Sequence, residues 1–137
     1  MNTILNKGIY CLIIKLVQQR EIRIGNLGIF QFPAGFYTYA GSAQINMKRR
    51  IERHLRKRKK LRWHIDYLLS YGNVTCVHTY RGVKYMECVL NHKIGRIANS
   101  IVPVKNFGSS DCSCVSHLHF FYDNPDPKIS QFPMKTG

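Results

Sequence analysis

The chain has 137 residues, of which 45% are hydrophobic and 20% charged, values that are typical of one globular domain and exclude wholesale disorder. Lys and Arg number 21 against seven acidic residues, so the formal net charge is +14. A surplus of this size favours a polyanionic partner, nucleic acid first and an anionic membrane surface second. Because acidic residues are so few, we expect any metal site to need only one or two carboxylates.

No apolar run approaches the roughly 18 to 20 residues that span a bilayer. The first ten residues carry one Lys and no apolar core of a signal peptide, so we expect a cytoplasmic protein. The chain contains five cysteines, an odd number, and we expect no export signal. They favour reduced thiols or metal ligands over a disulfide scaffold.

The N-terminal third has the pattern of β-strands. Residues 8–16 form an apolar, β-rich run that suits a buried strand. Residues 22–24 and 27–32 flank a turn signal at Gly25-Asn26, and residues 36–40 are rich in aromatic side chains. We expect these segments to form an antiparallel meander of three or four strands.

Helical signals begin after the fourth strand. Asn46 is a suitable N-cap for a helix that starts at Met47. Met47, Ile51 and Leu55 recur at i, i+4 and i+8, which predicts the buried stripe of this helix. Further along, the pattern predicts a helix containing residues 65–69, a strand over 74–80, a helix over 85–98 and a strand over 117–122.

Taken together, these elements predict an α+β fold, with a small antiparallel sheet flanked by helices. We expect the domain to comprise residues 1–122. The following stretch from Asp123 to Pro127 contains two prolines and cannot continue a sheet. We therefore expect residues 123–137 to form a loosely held tail.

A strongly basic segment coincides with the first predicted helix. Ten of the 21 basic residues lie between Lys48 and Arg62, where Glu52 is the one acidic residue. Like charges at i, i+4 oppose helix formation, which favours a compensating polyanion over a merely solvated face. We expect these side chains to contact phosphates. The residues expected to bind nucleic acid are Lys48, Arg49, Arg53, Arg56, Lys57 and Lys60.

Two short motifs precede the basic helix. Gly8-Ile9-Tyr10 opens the first long strand, and Tyr39-Ala40-Gly41-Ser42 closes the last strand before the helix. With an Arg and a His on that helix, they resemble the GIY-YIG nuclease family, in which such elements surround one site. The blocks Trp63-His64-Ile65-Asp66-Tyr67, Glu87-Cys88 and Phe107-Gly108-Ser109-Ser110-Asp111-Cys112 extend the resemblance, over about residues 8 to 121, to a small microbial branch of that family.

The sequence departs from the family pattern at two points. Tyr10 and Tyr39 are 29 positions apart, whereas the family joins these strands by a short hairpin, so we expect an insertion between them. Ala40 stands where the family has Ile, which we expect to alter packing only.

The resemblance implies a metal-dependent endonuclease that hydrolyses phosphodiester bonds in DNA. It implies that Tyr10 lies beside the attacking water with Tyr39 nearby, and that Arg50 contacts the phosphate. It also implies that Glu87 is the protein ligand of one Mg or Mn ion, an arrangement in which one carboxylate and several waters suffice. Tyr10 would act as a base or would only orient the water, and both roles stay open.

The same helix carries His54. Arg50 shares a helix face with His54, whereas Arg49 does not, so we assign the catalytic arginine to position 50. His54 is expected to donate to the substrate or to shuttle a proton, with a surface residue without a site role as the alternative. His64 and Asp111 are further candidates for lining the site.

The C-terminal part contains a second set of ligand-type residues. Cys112, Cys114 and His117 are close-set soft ligands, and Cys88 or His119 would supply a fourth. Zinc accepts Cys and His together, so a structural zinc site is one interpretation, and buried free cysteines are the other.

The leading hypothesis is therefore a DNA endonuclease, and the alternative is a non-catalytic DNA- or RNA-binding module of the same fold. DNA is favoured over RNA as the partner. A membrane-surface protein is disfavoured because the basic helix lacks a wide apolar face with Trp or Phe. A homodimer would suit a double-strand cut, and a repair-protein partner would supply specificity.

Overall fold

The computed structural model describes residues 6–132, which contain two antiparallel sheets and four helices joined by loops. In chain order they are β1 (Gly8–Leu16), β2 (Arg20–Ile24), β3 (Gly28–Phe32), β4 (Gly35–Ala43), α1 (Met47–Leu55), α2 (His64–Leu69), β5 (Asn73–Tyr80), α3 (Met86–Gly95), β6 (Leu118–Phe121) and α4 (Asp126–Ile129). This architecture confirms the predicted α+β class. No helix within residues 6–132 combines the length and the apolar character needed to cross a membrane.

Strand β1 lies inside the four-stranded sheet, whose order is β5-β1-β4-β6, and it pairs antiparallel with both neighbours. Eight of its nine residues are buried. Its even-numbered residues from Tyr10 to Leu16 pack in one core with α1 and α2, and its odd-numbered residues from Ile9 to Ile13 pack in a second core with α3 and α4. Burial on both faces explains why this strand is a continuous apolar run rather than an alternating one.

The predicted meander is wrong in its pairing. Strand β1 pairs directly with β4, and the hairpin β2–β3 forms a separate two-stranded sheet. Buried Ile22, Ile24 and Phe32 attach this hairpin to the core that contains α2, so its apolar side chains are covered without pairing to the larger sheet. The hairpin occupies the position of the expected insertion between the two motifs.

Helix α1 begins at Met47 as predicted, and the Asn46 side chain accepts a hydrogen bond from the backbone N–H of Arg49 at 3.2 Å. Its buried face differs from the predicted stripe. Met47 is buried, but Leu55 at the last position of the helix is 51% exposed. His54 is buried in its place because its ring packs beside the ring of Tyr10.

The described part of the segment that we predicted to be a loose tail, residues 123–132, is held against the domain. Its helix α4 buries Ile129 in the second core, and Phe132 is partly buried there. Asp126 of α4 also lies 2.6 Å from His78 of β5. These two apolar side chains and the polar contact explain the attachment, and residues 133–137 of the predicted tail lie outside the described residues.

Gly41 of the second motif lies opposite Tyr10 of the first motif in the β1–β4 ladder. A Cβ atom at Gly41 would lie 2.6 Å from both Cζ and Oη of Tyr10. We therefore expect Gly41→Ala to displace the Tyr10 ring and to lower the free energy of unfolding by about 1–3 kcal/mol, measured by denaturant unfolding. The control Ser42→Ala should stay within about 0.5 kcal/mol of wild type. Equal stability of Gly41→Ala and wild type would contradict this packing.

Candidate active site

Residues from five separate elements, together with loop residues, border one cleft with a volume of about 570 Å³. Strands β1 and β4 place the two motif tyrosines on adjacent strands, α1 contributes an arginine, and the first turn of α3 contributes a carboxylate. Six predicted site residues line this cleft, namely Tyr10, Tyr39, Arg50, His64, Glu87 and Asp111. The structure therefore brings together side chains that are up to 101 positions apart in the sequence.

His54 lies behind Tyr10 and is not among the residues that line the cleft. A hydrogen bond of 2.7 Å joins Tyr10 Oη to His54 Nε2. Both side chains are almost fully buried, and His54 Nδ1 has no hydrogen-bond partner among the described residues. The geometry thus supports a contact of His54 with Tyr10 rather than with a ligand in the cleft.

Burial determines the protonation of this pair. It raises the pKa of Tyr10 well above the usual value for a phenol, although the nearby Arg50 acts in the opposite direction. Burial also raises the pKa of Tyr39 and lowers the pKa of His54 to about 3. At neutral pH, a neutral phenol therefore faces a neutral imidazole.

The side chain of Arg50 is held at the cleft by two contacts. Its Nη1 donates a hydrogen bond of 2.9 Å to the carbonyl of Ser42, and its Cζ lies 4.6 Å from the ring centre of Trp63. The guanidinium groups of Arg53 and Arg62 also lie over this ring, at 4.4 and 5.6 Å. Trp63, which packs against the main core, therefore positions several cations by cation–π attraction.

Buried Asp66 joins the basic segment to α2. Its two carboxylate oxygens accept hydrogen bonds of 2.9 Å from Nη1 and Nη2 of Arg53. One of them also accepts from the backbone N–H groups of Arg62 and Trp63, both at 2.9 Å. Burial alone would raise the pKa of Asp66, but the hydrogen bonds from Arg53 and the backbone hold it below its usual value.

The six residues predicted to bind nucleic acid divide into two groups. Arg53 is engaged by Asp66, and Lys57 Nζ donates hydrogen bonds to the carbonyls of Leu69 at 2.9 Å and Gly72 at 2.6 Å. These two cations therefore have partners within the protein. The other four are exposed, namely Lys48, Arg49, Arg56 and Lys60.

His64 and Asp111 also line the cleft. His64 Nδ1 accepts a hydrogen bond of 2.9 Å from the backbone N–H of Gly108, and burial lowers the pKa of His64. A neutral His64 that accepts at Nδ1 carries its proton on Nε2. Asp111 forms an exposed ion pair with Lys84 at 3.0 Å. Lys84 and Arg62 also line the cleft, and no motif in the sequence indicated either of them.

Glu87 lies in the first turn of α3, and its side chain is 13% exposed. One of its oxygens, Oε2, lies 3.1 Å from Nδ1 of His117. The same Nδ1 atom is hydrogen-bonded to the carbonyl of Ala40 in the second motif at 3.0 Å. The sequence indicated His117 only as a metal ligand, because a contact between positions 87 and 117 has no signature in local spacing.

Cys88, Cys112, Cys114 and His117 form a cluster that could hold a metal ion. Their ligand atoms all lie within 4.8 Å of one another. Cys88 therefore completes the set predicted from Cys112, Cys114 and His117, and His119 lies outside the cluster. All five cysteines are free, as expected for a chain without a disulfide scaffold.

Fold and site together define an α+β domain with paired tyrosines, a guanidinium and a carboxylate in one cleft and a cysteine-rich cluster beside it. The chain belongs to the family described as "Domain of unknown function DUF123", whose sequence model matches residues 9–134. Searches of curated proteins and of solved structures gave no significant match.

The low pKa of His54 predicts a pH dependence of stability. An unfolded His has a pKa near 6.5, so the unfolded chain takes up a proton at this residue below that pH while the folded protein does so only near pH 3. His54 should therefore reduce the free energy of unfolding as the pH falls from 6.5 towards 3, by up to about 1.4 kcal/mol per pH unit. Denaturant unfolding at several pH values measures this slope.

Variants show how much of this pH dependence of stability comes from His54. His54→Gln should have a shallower pH dependence than wild type, because it lacks the imidazole whose pKa burial lowers. Identical slopes for wild type and His54→Gln would show that His54 does not titrate as expected.

The two ion pairs of Asp66 and Asp111 provide a matched comparison. Asp66→Asn should lower the free energy of unfolding by about 3–5 kcal/mol, because it leaves Arg53 without its buried counter-charge. Asp111→Asn alters an exposed pair and should have little effect. Denaturant midpoints measured side by side test this, and a midpoint of Asp66→Asn equal to that of wild type would refute the proposed role of Asp66.

Proposed function

We propose that this protein is a metal-dependent endonuclease of the GIY-YIG type that hydrolyses phosphodiester bonds in DNA. One observation carries the proposal: Tyr10, Tyr39, Arg50 and Glu87, which the resemblance implies as site residues, line the same cleft although they belong to four different elements. Shared fold alone would not support an activity, but the convergence of these particular side chains does.

The residues fit a hard divalent cation at Glu87. The carboxylate is partly exposed at the cleft, and Mg²⁺ is commonly bound by one or two carboxylates with waters completing its shell. Glu87 would therefore hold Mg or Mn. When bound, the ion supplies positive charge that stabilises the phosphate oxygens in the transition state. This hard-cation site is distinct from the cluster of Cys88, Cys112, Cys114 and His117.

Arg50 is suited to hold the phosphate. Its guanidinium is fixed by the Ser42 carbonyl and by the face of Trp63, so little side-chain reorganisation is needed when a phosphate enters. Such a preorganised cation stabilises negative charge as it develops on the phosphate. Arg62 and Lys84 add positive charge to the same cleft.

Tyr10 would contact the attacking water, and His54 would hold the Tyr10 hydroxyl in place. A histidine whose pKa is about 3 retains a proton poorly at neutral pH, so His54 is unsuited to be the final proton acceptor. We therefore assign His54 a positioning role through its 2.7 Å hydrogen bond. Tyr10 becomes a base only if cations lower its pKa, and Arg50 already acts in that direction.

The exposed side chains of Lys48, Arg49, Arg56 and Lys60 supply a surface for the DNA backbone. Contacts of this kind bind phosphates without reading sequence, and their affinity falls as salt rises. The same surface would serve a binding module that does not cut, so turnover must be tested directly.

Supercoiled plasmid provides that test. With Mg or Mn present, wild type should nick the plasmid, while Glu87→Gln and Tyr10→Phe should each reduce the rate by about 100-fold or more. Gel-shift affinity for the same DNA should stay near wild type in both variants, because the exposed basic side chains are unchanged.

Matched controls are available for each variant. Glu21→Gln, on the exposed side of β2, and Tyr85→Phe, at an exposed tyrosine, should nick like wild type. A salt-sensitive gel shift without nicking of plasmid, branched DNA or RNA would support the binding module instead. Nicking that survives in both Glu87→Gln and Tyr10→Phe would show that the cleft residues are wrongly assigned.

A further inference from the structure

We propose that Cys88, Cys112, Cys114 and His117 bind one zinc ion. We further propose that this ion fixes the ring of His117 so that its Nδ1–H group faces the Glu87 carboxylate. The zinc site rests on the ligand cluster alone. The consequence for Glu87 also rests on the proposed nuclease function.

The ligand types and their separations match zinc. Thiolate and imidazole ligands select zinc over magnesium or calcium. In a tetrahedral zinc site, sulfur ligands lie about 3.8 Å apart and a sulfur lies about 3.6 Å from a nitrogen. Here His117 Nε2 lies 3.2 Å from Cys112 Sγ and 4.0 Å from Cys88 Sγ, and no pair of ligand atoms exceeds 4.8 Å. Small side-chain shifts would complete the geometry.

The proposed ion would join a loop to a helix. Cys88 lies in the first turn of α3, whereas the other three ligands belong to the loop over residues 105–117, which contains no regular helix or strand. The loop is closed by the backbone hydrogen bonds Asn106 N–H to Val115 O at 2.7 Å and His117 N–H to Phe107 O at 2.8 Å. A metal ion at this junction would contribute its binding free energy to the folding of the loop.

The four ligands adjoin the cleft. Glu87 directly precedes Cys88, and Asp111 directly precedes Cys112, so two cleft residues are neighbours of two proposed ligands. His117 makes a third connection, because its Nε2 faces the sulfurs while its Nδ1 faces Glu87 Oε2 at 3.1 Å and the Ala40 carbonyl at 3.0 Å.

Zinc on Nε2 would leave the proton of His117 on Nδ1, where it can be donated to the Ala40 carbonyl and face the Glu87 carboxylate. A bond from zinc to Nε2 would also fix the ring of His117, so that its Nδ1–H group stays directed at these two acceptors. Zinc would thus hold one oxygen of Glu87 in place, and His117 acts as a positioning residue for the cation site.

A second cluster provides the internal comparison. Cys76, His78 and Asp126 also place ligand atoms within 4.8 Å of one another, but they offer three ligands, and His78 already contacts Asp126 at 2.6 Å. If this second cluster were the zinc site, replacing Cys76 would remove the metal.

The first experiment measures metal without measuring activity. Elemental analysis of the purified chain should find one zinc per molecule, and cobalt replacing it should show the thiolate charge-transfer and d–d bands of tetrahedral coordination. Cys112→Ser and Cys114→Ser should lose most of the metal, whereas Cys76→Ser should keep it. If the two serine variants do not fold, cobalt titration of wild-type protein stripped of metal still tests whether the tetrahedral site exists. Absence of tetrahedral cobalt bands, or loss of zinc in Cys76→Ser, would overturn the site.

The second experiment separates the positioning role from metal binding. His117→Cys should retain zinc in a four-thiolate site but lacks the Nδ1–H group. The magnesium concentration for half-maximal nicking should then rise by about tenfold or more, with an unchanged gel shift. The magnesium-free control simply omits magnesium and contains no chelator, because a chelator would remove both metals.

The outcomes distinguish the two proposals. An unchanged magnesium requirement in zinc-loaded His117→Cys would overturn the link to Glu87. Retention of zinc by Glu87→Gln, together with its loss of nicking, would show that the two metal sites are separate and would support the inference. A chain that binds zinc but never nicks would refute the nuclease and leave the zinc site standing. Nicking by zinc-free protein with an unchanged magnesium requirement would overturn the link between zinc and Glu87.

Discussion

The direct pairing of β1 with β4 is the constraint on which the rest of the structure depends. Because the strands are antiparallel and in this register, the ring of Tyr10 lies over Gly41, and the absence of a side chain at Gly41 leaves the room that the ring needs. The same pairing places Tyr39 beside the cleft and brings the Ala40 carbonyl to His117. With β1 buried on both faces, α1 and α3 pack on opposite sides of one rigid strand, and each contributes a charged side chain to the cleft.

The basic segment shows how a chain with few acidic residues stabilises a concentration of positive charge. A single buried carboxylate, Asp66, accepts hydrogen bonds from Arg53 and from the backbone at the start of α2. Lys59 Nζ donates hydrogen bonds to three carbonyls at the end of α1, where the helix dipole favours a cation. Some cations of this segment therefore stabilise the local structure, and the exposed ones are left to meet a polyanion.

The two ligand sets differ in chemistry and adjoin in space. Carboxylate and guanidinium groups line the cleft and suit a hard cation with a phosphate, whereas the sulfurs of the neighbouring cluster suit zinc. His117 contacts both sets through its two ring nitrogens. In this arrangement a soft-metal site need not take part in the reaction to influence it, because it can act on the orientation of one carboxylate.

The sequence by itself determined the elements whose signals are local: the continuous apolar run of β1, the Asn46 cap, the concentration of basic residues and the α+β class. Strand length, helix start and charge depend on neighbouring residues, so periodicity and capping reveal them. The candidate cleft residues also followed from motifs in the sequence. Only the tertiary structure decided that β2–β3 forms a separate hairpin, that His54 rather than Leu55 is buried, and that Cys88 joins Cys112 and Cys114. It alone showed that His117 contacts Glu87. These features depend on which side chains from distant segments fill the same space, and no local pattern encodes that choice.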